Sequence, residues 1–312
     1  MTTGFLCVGD LDIDLIVSVA HLPGADDKIF GRRICQAVGG MAANVAVGLR
    51  RLGAEARLAA AIGDDEPGEV AERAVAGAGV DTSFLVRRKG DATFMCLVLL
   101  GPNGERSLVR LETGAYLPQP DEVPVAAFAG TRHVHLTMGS EALARHCVAR
   151  ARSSGASVSL DLEKADLPDD PSSLVDLLPA IDWLFLNRHS RDHVEQVLGP
   201  LVLRQASCVI TTDGSAGCRI ERGDCRVEVA GHKVSVRDTT GAGDGLVAAF
   251  LHGHLVAGLS ETEALSRANA AAALVVQRYG AQAGLPTGDE LDRFMRQQGP
   301  DRDRVTSAEG HD

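Results

Sequence analysis

Lysine is scarce in this chain of 312 residues: only Lys28, Lys89, Lys164 and Lys233 are present, and the other basic residues are arginine. None of the four follows a glycine-rich G-x-x-x-x-G segment, so a P-loop that cradles nucleotide phosphates with a lysine is excluded. Acidic residues outnumber basic ones by 42 to 31, and no basic run occurs, which argues against a nucleic acid or an anionic membrane surface as partner. No apolar stretch reaches the ~18 residues of a membrane-crossing helix. The start, Met1-Thr2-Thr3-Gly4, has neither the charged nor the apolar region of a secretory signal, so a cytoplasmic location is expected. Seven cysteines form an odd set without any C-x-x-C, which speaks against a disulfide framework or a thiolate zinc site and for buried free thiols. Aromatic residues make up only 4%.

What is present is 45% hydrophobic and 23% charged, the composition of a globular protein with one large core. Phe5-Leu6-Cys7-Val8-Gly9 is a short unbroken apolar run, as in a strand covered on both faces. A helix with Met41, Val45, Leu49 and Leu52 on one stripe lies between Gly39-Gly40 and Gly53. Strand 56–62, a helix over 66–78 and strands at 84–89 and 93–100 follow, the last facing 106–112 across the turn cluster Gly101-Pro102-Asn103-Gly104. Beyond residue 125 strands at 134–136, 158–162, 183–186 and 208–211 alternate with helices at 141–152, 172–179 and 189–198. A hairpin over 217–230 and helices at 243–257, 261–278 and 287–297 complete the chain, and 299–312 reads as a flexible tail. The alternation predicts an α/β fold, a three-layer α/β/α sandwich around a mainly parallel sheet.

Two segments carry chemistry. Asp10, Asp12 and Asp14 alternate with Leu11, Ile13 and Leu15, so in an extended chain their carboxylates share one side, either as a solvated strand edge or as a site that receives hydroxyls. Asp238-Thr239-Thr240-Gly241-Ala242-Gly243-Asp244-Gly245 runs directly into an apolar helix. Bare glycine amides at a helix N-terminus attract anions, including the charge that builds up in phosphoryl transfer. A carboxylate there would repel a bound phosphate, so Asp244 either only stabilises the helix dipole or takes a proton from an attacking hydroxyl. The dinucleotide fingerprint G-x-G-x-x-G fails because position 246 is leucine. His133-Val134-His135 and His252-Gly253-His254 lack a matching third ligand and read as packing or surface histidines.

Val38-Gly39-Gly40-Met41-Ala42-Ala43-Asn44-Val45-Ala46 together with Asp238 to Asp244 resembles the two signature regions of the ribokinase-like (PfkB) carbohydrate kinases, in the expected order. The likeness runs from about residue 4 to 297 and includes Thr212-Asp213-Gly214-Ser215-Ala216-Gly217 and Ala268-Asn269-Ala270-Ala271-Ala272. The resemblance implies a core of residues 1–10, 36–92 and 113–298, with a small β-sheet lid formed by 11–35 and 93–112. It implies an ATP-dependent kinase acting on a hydroxyl, expected to be primary, of a sugar or sugar acid; a nucleoside kinase and a non-catalytic sugar-binding member are the alternatives. Asp244 would be the base and the amides of Gly241, Ala242 and Gly243 the anion hole. Asp12, Asp14, Gly39, Gly40 and Asn44 would surround the acceptor, and Asn187, Thr212, Gly214, Gly217 and Asn269 would line the ATP site. A monovalent cation such as K+ would sit near Asp238 and the Thr240 carbonyl, and a homodimer through the lid is expected.

Three departures from the family pattern matter. The family often has Asn at position 12 and, in ribokinases proper, Lys at 41, where this chain has Asp12 and Met41. The family's N-x-x-E glutamate, which helps organise magnesium, is replaced in Asn187-Arg188-His189-Ser190 by serine. Asp161 and Glu163, two apart and so on one strand face, would then hold Mg2+ through water. Arg106 and Arg110 on the lid hairpin read either as surface arginines or as partners of an acidic sugar's carboxylate.

Overall fold

The computed structural model describes residues 4–102, 106–168, 170–201, 207–298 and 305–308. Every residue of β1 (Gly4–Val8) is buried. Its neighbours are β4 (Glu55–Ala59) and β9 (Thr131–Thr137), both parallel to it. The parallel series continues through β10 (Ser157–Asp161), β11 (Trp183–Asn187) and β12 (Cys208–Thr212), giving the order β4-β1-β9-β10-β11-β12. β13 (Gly217–Arg222) and β14 (Cys225–Ala230) then extend the sheet antiparallel. Period-two alternation sends successive side chains into opposite layers. Phe5, Cys7, Trp183 and Phe185 enter a core shared with α1 (Met41–Arg51), α5 (Ala242–Leu255), α6 (Glu261–Val275) and α8 (Gly288–Gln298). Leu6, Val8, Leu184 and Leu186 enter the opposite core, with α3 (Glu141–Ser154) and α4 (Arg188–Leu198). The expected three-layer α/β/α arrangement is therefore present.

Local signals place the helix ends. Ser140 caps α3 by accepting from the Leu143 amide, and Gly155 closes it at φ 77°. Ser260 and Glu263 form a reciprocal capping box at the start of α6. Asp65 caps α2 (Glu66–Gly77) and also accepts from the Thr93 amide at 2.9 Å, tying the helix to the start of the lid's second excursion. A two-stranded parallel pair, β5 (Ala61–Gly63) with β6 (Val86–Arg88), leads into that excursion.

The two segments expected to form the lid pair into a separate four-stranded sheet in the order β3-β2-β7-β8, built from β2 (Asp12–Val19), β3 (Gly31–Gly39), β7 (Met95–Leu100) and β8 (Arg106–Leu111). Ile16, Phe94, Cys96 and Val98 form its own small apolar cluster. The sequence places the end of the first lid segment at residue 35, but β3 continues to Gly39, immediately before α1. The helix expected at 172–179 is instead two short 3-10 segments, Pro171–Asp176 and Leu178–Ala180; Pro179 supplies no amide for a continuous α-helical ladder. Within the tail expected to be flexible, β15 (Val305–Ala308) pairs antiparallel with β14. The rest of that tail lies outside the described residues. The cysteines are free, with Cys7, Cys96, Cys147, Cys208 and Cys218 buried, whereas Cys35 is half-buried and Cys225 exposed. Among the described residues no helix is long and apolar enough to cross a membrane.

Candidate active site

The carboxyl ends of β10, β11 and β12, the N-termini of α1 and α5 and the inner face of the second sheet enclose a cleft of about 750 Å³. Parallel strands end there with unpaired backbone groups, and ligands of open α/β sheets bind in such crevices. Of the residues singled out in the sequence, Asp12, Asp14, Gly40, Asn44, Asp161, Glu163, Asn187, Thr212, Gly214, Thr240, Gly241, Gly243 and Asp244 line this one cleft. Gly39, Gly217, Asp238, Ala242 and Asn269 stand behind its wall.

Asp244 sits in the first turn of α5, 6% exposed. Its Oδ2 accepts from Asn44 Nδ2 at 2.7 Å, a bond across 200 residues of sequence that joins the two signature segments. Burial pushes the Asp244 carboxyl up to about 8, against the opposing Asn44 bond, and the charges of Asp10, Glu163 and Asp14 raise it further. Ahead of it, Gly241 adopts φ 77°, and a Cβ there would stand 2.4 Å from that of Ala281, so only glycine makes this turn. The Ala242 amide is turned toward Thr239 O at 3.3 Å, whereas Gly243 has no neighbour where a Cβ would be. The Ala242 amide is thus engaged within the loop itself.

Asp238, 3% exposed, braces this loop. Its Oδ1 accepts from the Thr240 amide at 2.9 Å and hydroxyl at 2.7 Å, and its Oδ2 from the Gly280 amide at 2.9 Å. It meets no cation within ion-pair distance among the described residues, a buried charge that suits a nearby monovalent ion.

On the acceptor side Asp12 and Asp14 project from one face of β2, both 4% exposed. Asp12 Oδ2 accepts from Cys96 Sγ at 3.4 Å, while Asp12 Oδ1 and Asn44 Oδ1 are buried without partners among the described residues. Buried acceptors left open in this way suit a ligand rich in hydroxyl donors. Burial and then the neighbouring Asp14 and Asp10 charges hold the Asp12 carboxyl well above the usual carboxylate range. Burial, with the charges of Asp238 and Asp10, lifts Asp14 to about 6. Gly39 lies opposite Asp12 in the β2–β3 pairing, and a Cβ would fall 2.4 Å from Asp12 Oδ1 and 2.6 Å from Asp14 Oδ2. The glycine thus makes room for the two carboxylates. Asp10 precedes β2 and does not join their row: its Oδ1 accepts from the Ala42 amide at 3.3 Å and the Thr137 hydroxyl at 3.5 Å, holding the start of α1.

At the nucleotide end, Asn187 caps α4 by accepting from the Ser190 amide at 2.8 Å. Ser190, where the family has glutamate, is 1% exposed, and its Oγ accepts from the Lys164 amide at 3.0 Å. It is turned away from the cleft. Asp161 and Glu163 do face the cleft, with no hydrogen bond or ion pair to another side chain among the described residues. Burial holds both carboxyls above the usual range, helped at Asp161 by the Glu163 charge and at Glu163 by the Asp166 charge, which suits a site awaiting a cation. Thr212 ends β12 opposite Asn187, and Gly214 begins the following turn. Asn269 donates to Ala230 O at 2.9 Å, and Gly217 packs against the Val229 carbonyl, so both shape the wall.

Sequence reading missed the lid's hold on the core. Arg106, Leu108 and Arg110 alternate on the cleft face of β8. Arg110 Nη1 reaches Asp166 Oδ1 at 2.5 Å and its Nη2 the Ala165 carbonyl at 3.2 Å, with the Tyr116 hydroxyl 3.3 Å away. Asp166 lies 56 residues away, and only the period-two spacing of the arginines hinted that they share a face. The histidine pair behaves as expected of packing. Both rings are fully buried, hydrogen-bond to Ser159 Oγ at 2.8 Å, and are held neutral by burial.

Comparison with known proteins agrees with this geometry. Residues 2–288 match the model of the pfkB family carbohydrate kinases. The chain is 31% identical over 295 residues to an ATP-dependent ribose-1-phosphate kinase of Halopiger xanaduensis, covering 93% of this chain and 97% of the relative. The crystal structure of the Methanocaldococcus jannaschii nucleoside kinase superposes with a TM-score of 0.81 at 25% identity, covering 95% of this chain and 99% of that one. A fructokinase from Xylella fastidiosa with bound ATP superposes equally well, TM-score 0.81, at 24% identity over 96% and 100% of the two chains. With two signature segments joined through Asn44 and Asp244 in a lidded cleft, the chain belongs to the pfkB family of ATP-dependent carbohydrate kinases.

Proposed function

We propose that the protein transfers the γ-phosphoryl group of ATP to a hydroxyl, preferentially primary, of a small sugar or sugar acid. The observation that carries this reading is the Asp244 carboxylate, 2.7 Å from Asn44 Nδ2 and beside the glycine amides at the start of α5. Asp12, Asp14 and the Asn44 carbonyl oxygen receive the acceptor's hydroxyls, and Gly40 lets it approach the backbone. Asp244 takes the proton of the attacking hydroxyl as its oxygen bonds to the γ-phosphorus. The bond from that phosphorus to the bridging oxygen breaks, and ADP leaves with the electron pair. Because such transition states are loose, positioning and charge stabilisation count for more than basicity. The amides of Gly241 and Gly243, with Ala242 as the spacer that orients them, face the charge that develops.

Asn187, Thr212 and Gly214 line the ATP end, while Gly217 and Asn269 fix the wall behind it. The divalent ion that accompanies ATP neutralises phosphate charge, and Asp161 and Glu163 hold it through its water in place of the family's glutamate. A monovalent ion, K+ in the first instance, lies by Asp238 and the Thr240 carbonyl, which replacement of K+ by Na+ in the assay tests. The unpaired outer edge of β8, with Val109 46% and Leu111 50% exposed, is the face of a homodimer, to be tested by sedimentation. A cytoplasmic location fits a protein that uses ATP.

A nucleoside acceptor is the second reading, favoured by an apolar wall of Phe94, Cys96 and Leu108 beside the carboxylates. An ADP-release screen across sugars, sugar acids, sugar phosphates and nucleosides separates the two. Turnover confined to nucleosides would replace the first reading with the second, and no ADP release with any acceptor would leave a sugar-binding protein.

A further inference from the structure

The acceptor end of the cleft holds acid without a counter-charge. Asp12 and Asp14 project from one face of β2, both 4% exposed, and an oxygen of each lies within 4.8 Å of the other and of Cys96 Sγ. No cation pairs with either carboxylate among the described residues. None of the four lysines lines the cleft. Of its three arginines, Arg110 is committed to Asp166 and Arg188 to Asp213, both at 2.5 Å. Arg106 is near enough to ease the charge on Asp14, but its hydrogen bond runs from Nη1 to Thr240 Oγ1 at 3.3 Å, next to Gly241.

The hydrogen-bond inventory is one-sided as well. Asp12 Oδ1 and Asn44 Oδ1 are buried with no partner among the described residues, and the Asp14 carboxylate takes no side-chain hydrogen bond there. The neighbouring donors are turned elsewhere: Asn44 Nδ2 to Asp244 at 2.7 Å and Cys96 Sγ to Asp12 Oδ2 at 3.4 Å. A hydroxyl brings one hydrogen and two lone pairs, and those lone pairs would face acceptors in this corner. An ammonium brings three hydrogens, no lone pair and the charge that a buried carboxylate pair lacks. A metal ion is the poorer occupant, because burial and then the Asp12 and Asp14 charges push the Cys96 thiol up and keep it a hydrogen donor.

We propose that the acceptor is an amine-bearing sugar or polyol, whose ammonium group sits among Asp12, Asp14 and the Asn44 carbonyl while a hydroxyl of the same molecule meets Asp244. Asp12 is then the residue that selects the amine. An asparagine in its place keeps the shape but removes the charge and turns one acceptor into a donor.

This inference rests on the kinase reading above and narrows its acceptor class, and its test has two arms. In the first, ADP release is measured with pairs that differ only by amine for hydroxyl: glucosamine and glucose, 1-amino-1-deoxyfructose and fructose, 2-amino-2-deoxyribose and ribose. The N-acetyl derivatives serve as uncharged controls. For at least one pair, wild-type kcat/KM is expected to favour the amine by about tenfold or more, with the acetylated form no better than the parent. Asp12→Asn should lower that amine-to-parent ratio by about 10–100-fold. Amines that are all poorer than their parents, or a ratio that Asp12→Asn leaves unchanged, overturn the proposal; the wild-type comparison decides even if the variant does not fold. The second arm needs no turnover: the same pairs are titrated calorimetrically into both proteins in the presence of MgADP. Tighter binding of an amine than of its parent in wild type, lost in Asp12→Asn, is expected, and a wild type that binds no amine more tightly than its parent overturns the proposal. A protein that binds an amine selectively but releases no ADP with any acceptor refutes the kinase reading alone.

Discussion

Replacing Asp244 by asparagine separates its chemical role from its cost to the fold. In the ligand-free protein burial pushes this carboxyl up to about 8, far above the ordinary value of 3.8. The folded state therefore keeps a proton that the unfolded chain releases, and stability contributed by this group falls as pH rises from about 4 to about 8. At 1.36 kcal/mol per pKa unit the full penalty above pH 8 is about 6 kcal/mol, of which about 2 has developed by pH 5. Asparagine cannot ionise, yet its carbonyl still accepts from Asn44 Nδ2. Asp244→Asn is thus expected to be the more stable protein, by about 4 kcal/mol more at pH 9 than at pH 5, a relative rise of roughly 8 °C in Tm. Neighbouring carboxylates that relax when Asp244 is removed change the size but not the sign. The variant should also lose about 10²–10⁴-fold in kcat with ATP affinity little changed. For wild type, kcat/KM should rise with pH up to about 8, since only the ionised carboxylate accepts the proton. Thermal unfolding from pH 5 to pH 9, paired with ADP-release kinetics, provides both readings. A variant that melts below wild type at pH 9, or turns over normally, would refute the reasoning.

Gly39→Ala would press a Cβ into the carboxylates of Asp12 and Asp14 and should raise acceptor KM at least about tenfold while sparing ATP KM, as steady-state kinetics in each substrate would show. Arg110→Ala removes the cation that holds the 4% exposed Asp166 side chain and frees β8 from the core. Acceptor-independent ATP hydrolysis should rise relative to transfer, with a stability loss of about 1–3 kcal/mol; an unchanged ratio would show that the bridge does not control closure. Glu163→Gln should shift the Mg2+ dependence of turnover to higher concentration, since one of two unpartnered carboxylates is lost; identical Mg2+ titrations would remove Glu163 from the role.

The parts of the site legible in the sequence are those encoded by short chain segments. Glycines at 39, 40 and 241 mark places where backbone geometry or close approach leaves no room for a side chain, and such demands are visible locally. The helix starts expected at 141 and 261 hold because Ser140 and Ser260 cap the residues that follow them. Asp10 lines the same cleft as Asp12 and Asp14, as the alternation implies, but it precedes the strand and its carboxylate turns back to the Ala42 amide. The segment at 172–179 has helical periodicity but meets Pro179, and the boundary at 35 that the family resemblance implies falls inside β3, which runs to Gly39.

What stayed hidden was the pairing of residues far apart in sequence, and there the structure adds a division of labour. Arg106 and Arg110 share residue type, strand and face, so no local pattern distinguishes them. Their fates differ because Arg110 meets a carboxylate on the core and Arg106 meets a hydroxyl. A charge-assisted bond to a buried carboxylate occupies the guanidinium and anchors the strand, whereas a neutral hydroxyl leaves the other charge free to act. Ser190 follows the same logic. Its hydroxyl is spent on the Lys164 amide, closing that turn, and Asp161 and Glu163 have no side-chain partner among the described residues. Under the proposed mechanism the cation that the family serves with one glutamate falls to a neighbouring strand end, and the Arg110 bond to Asp166 comes from the turn that follows it. Acceptor closure and cation placement consequently share one segment, 161–166, so a change there should disturb both together.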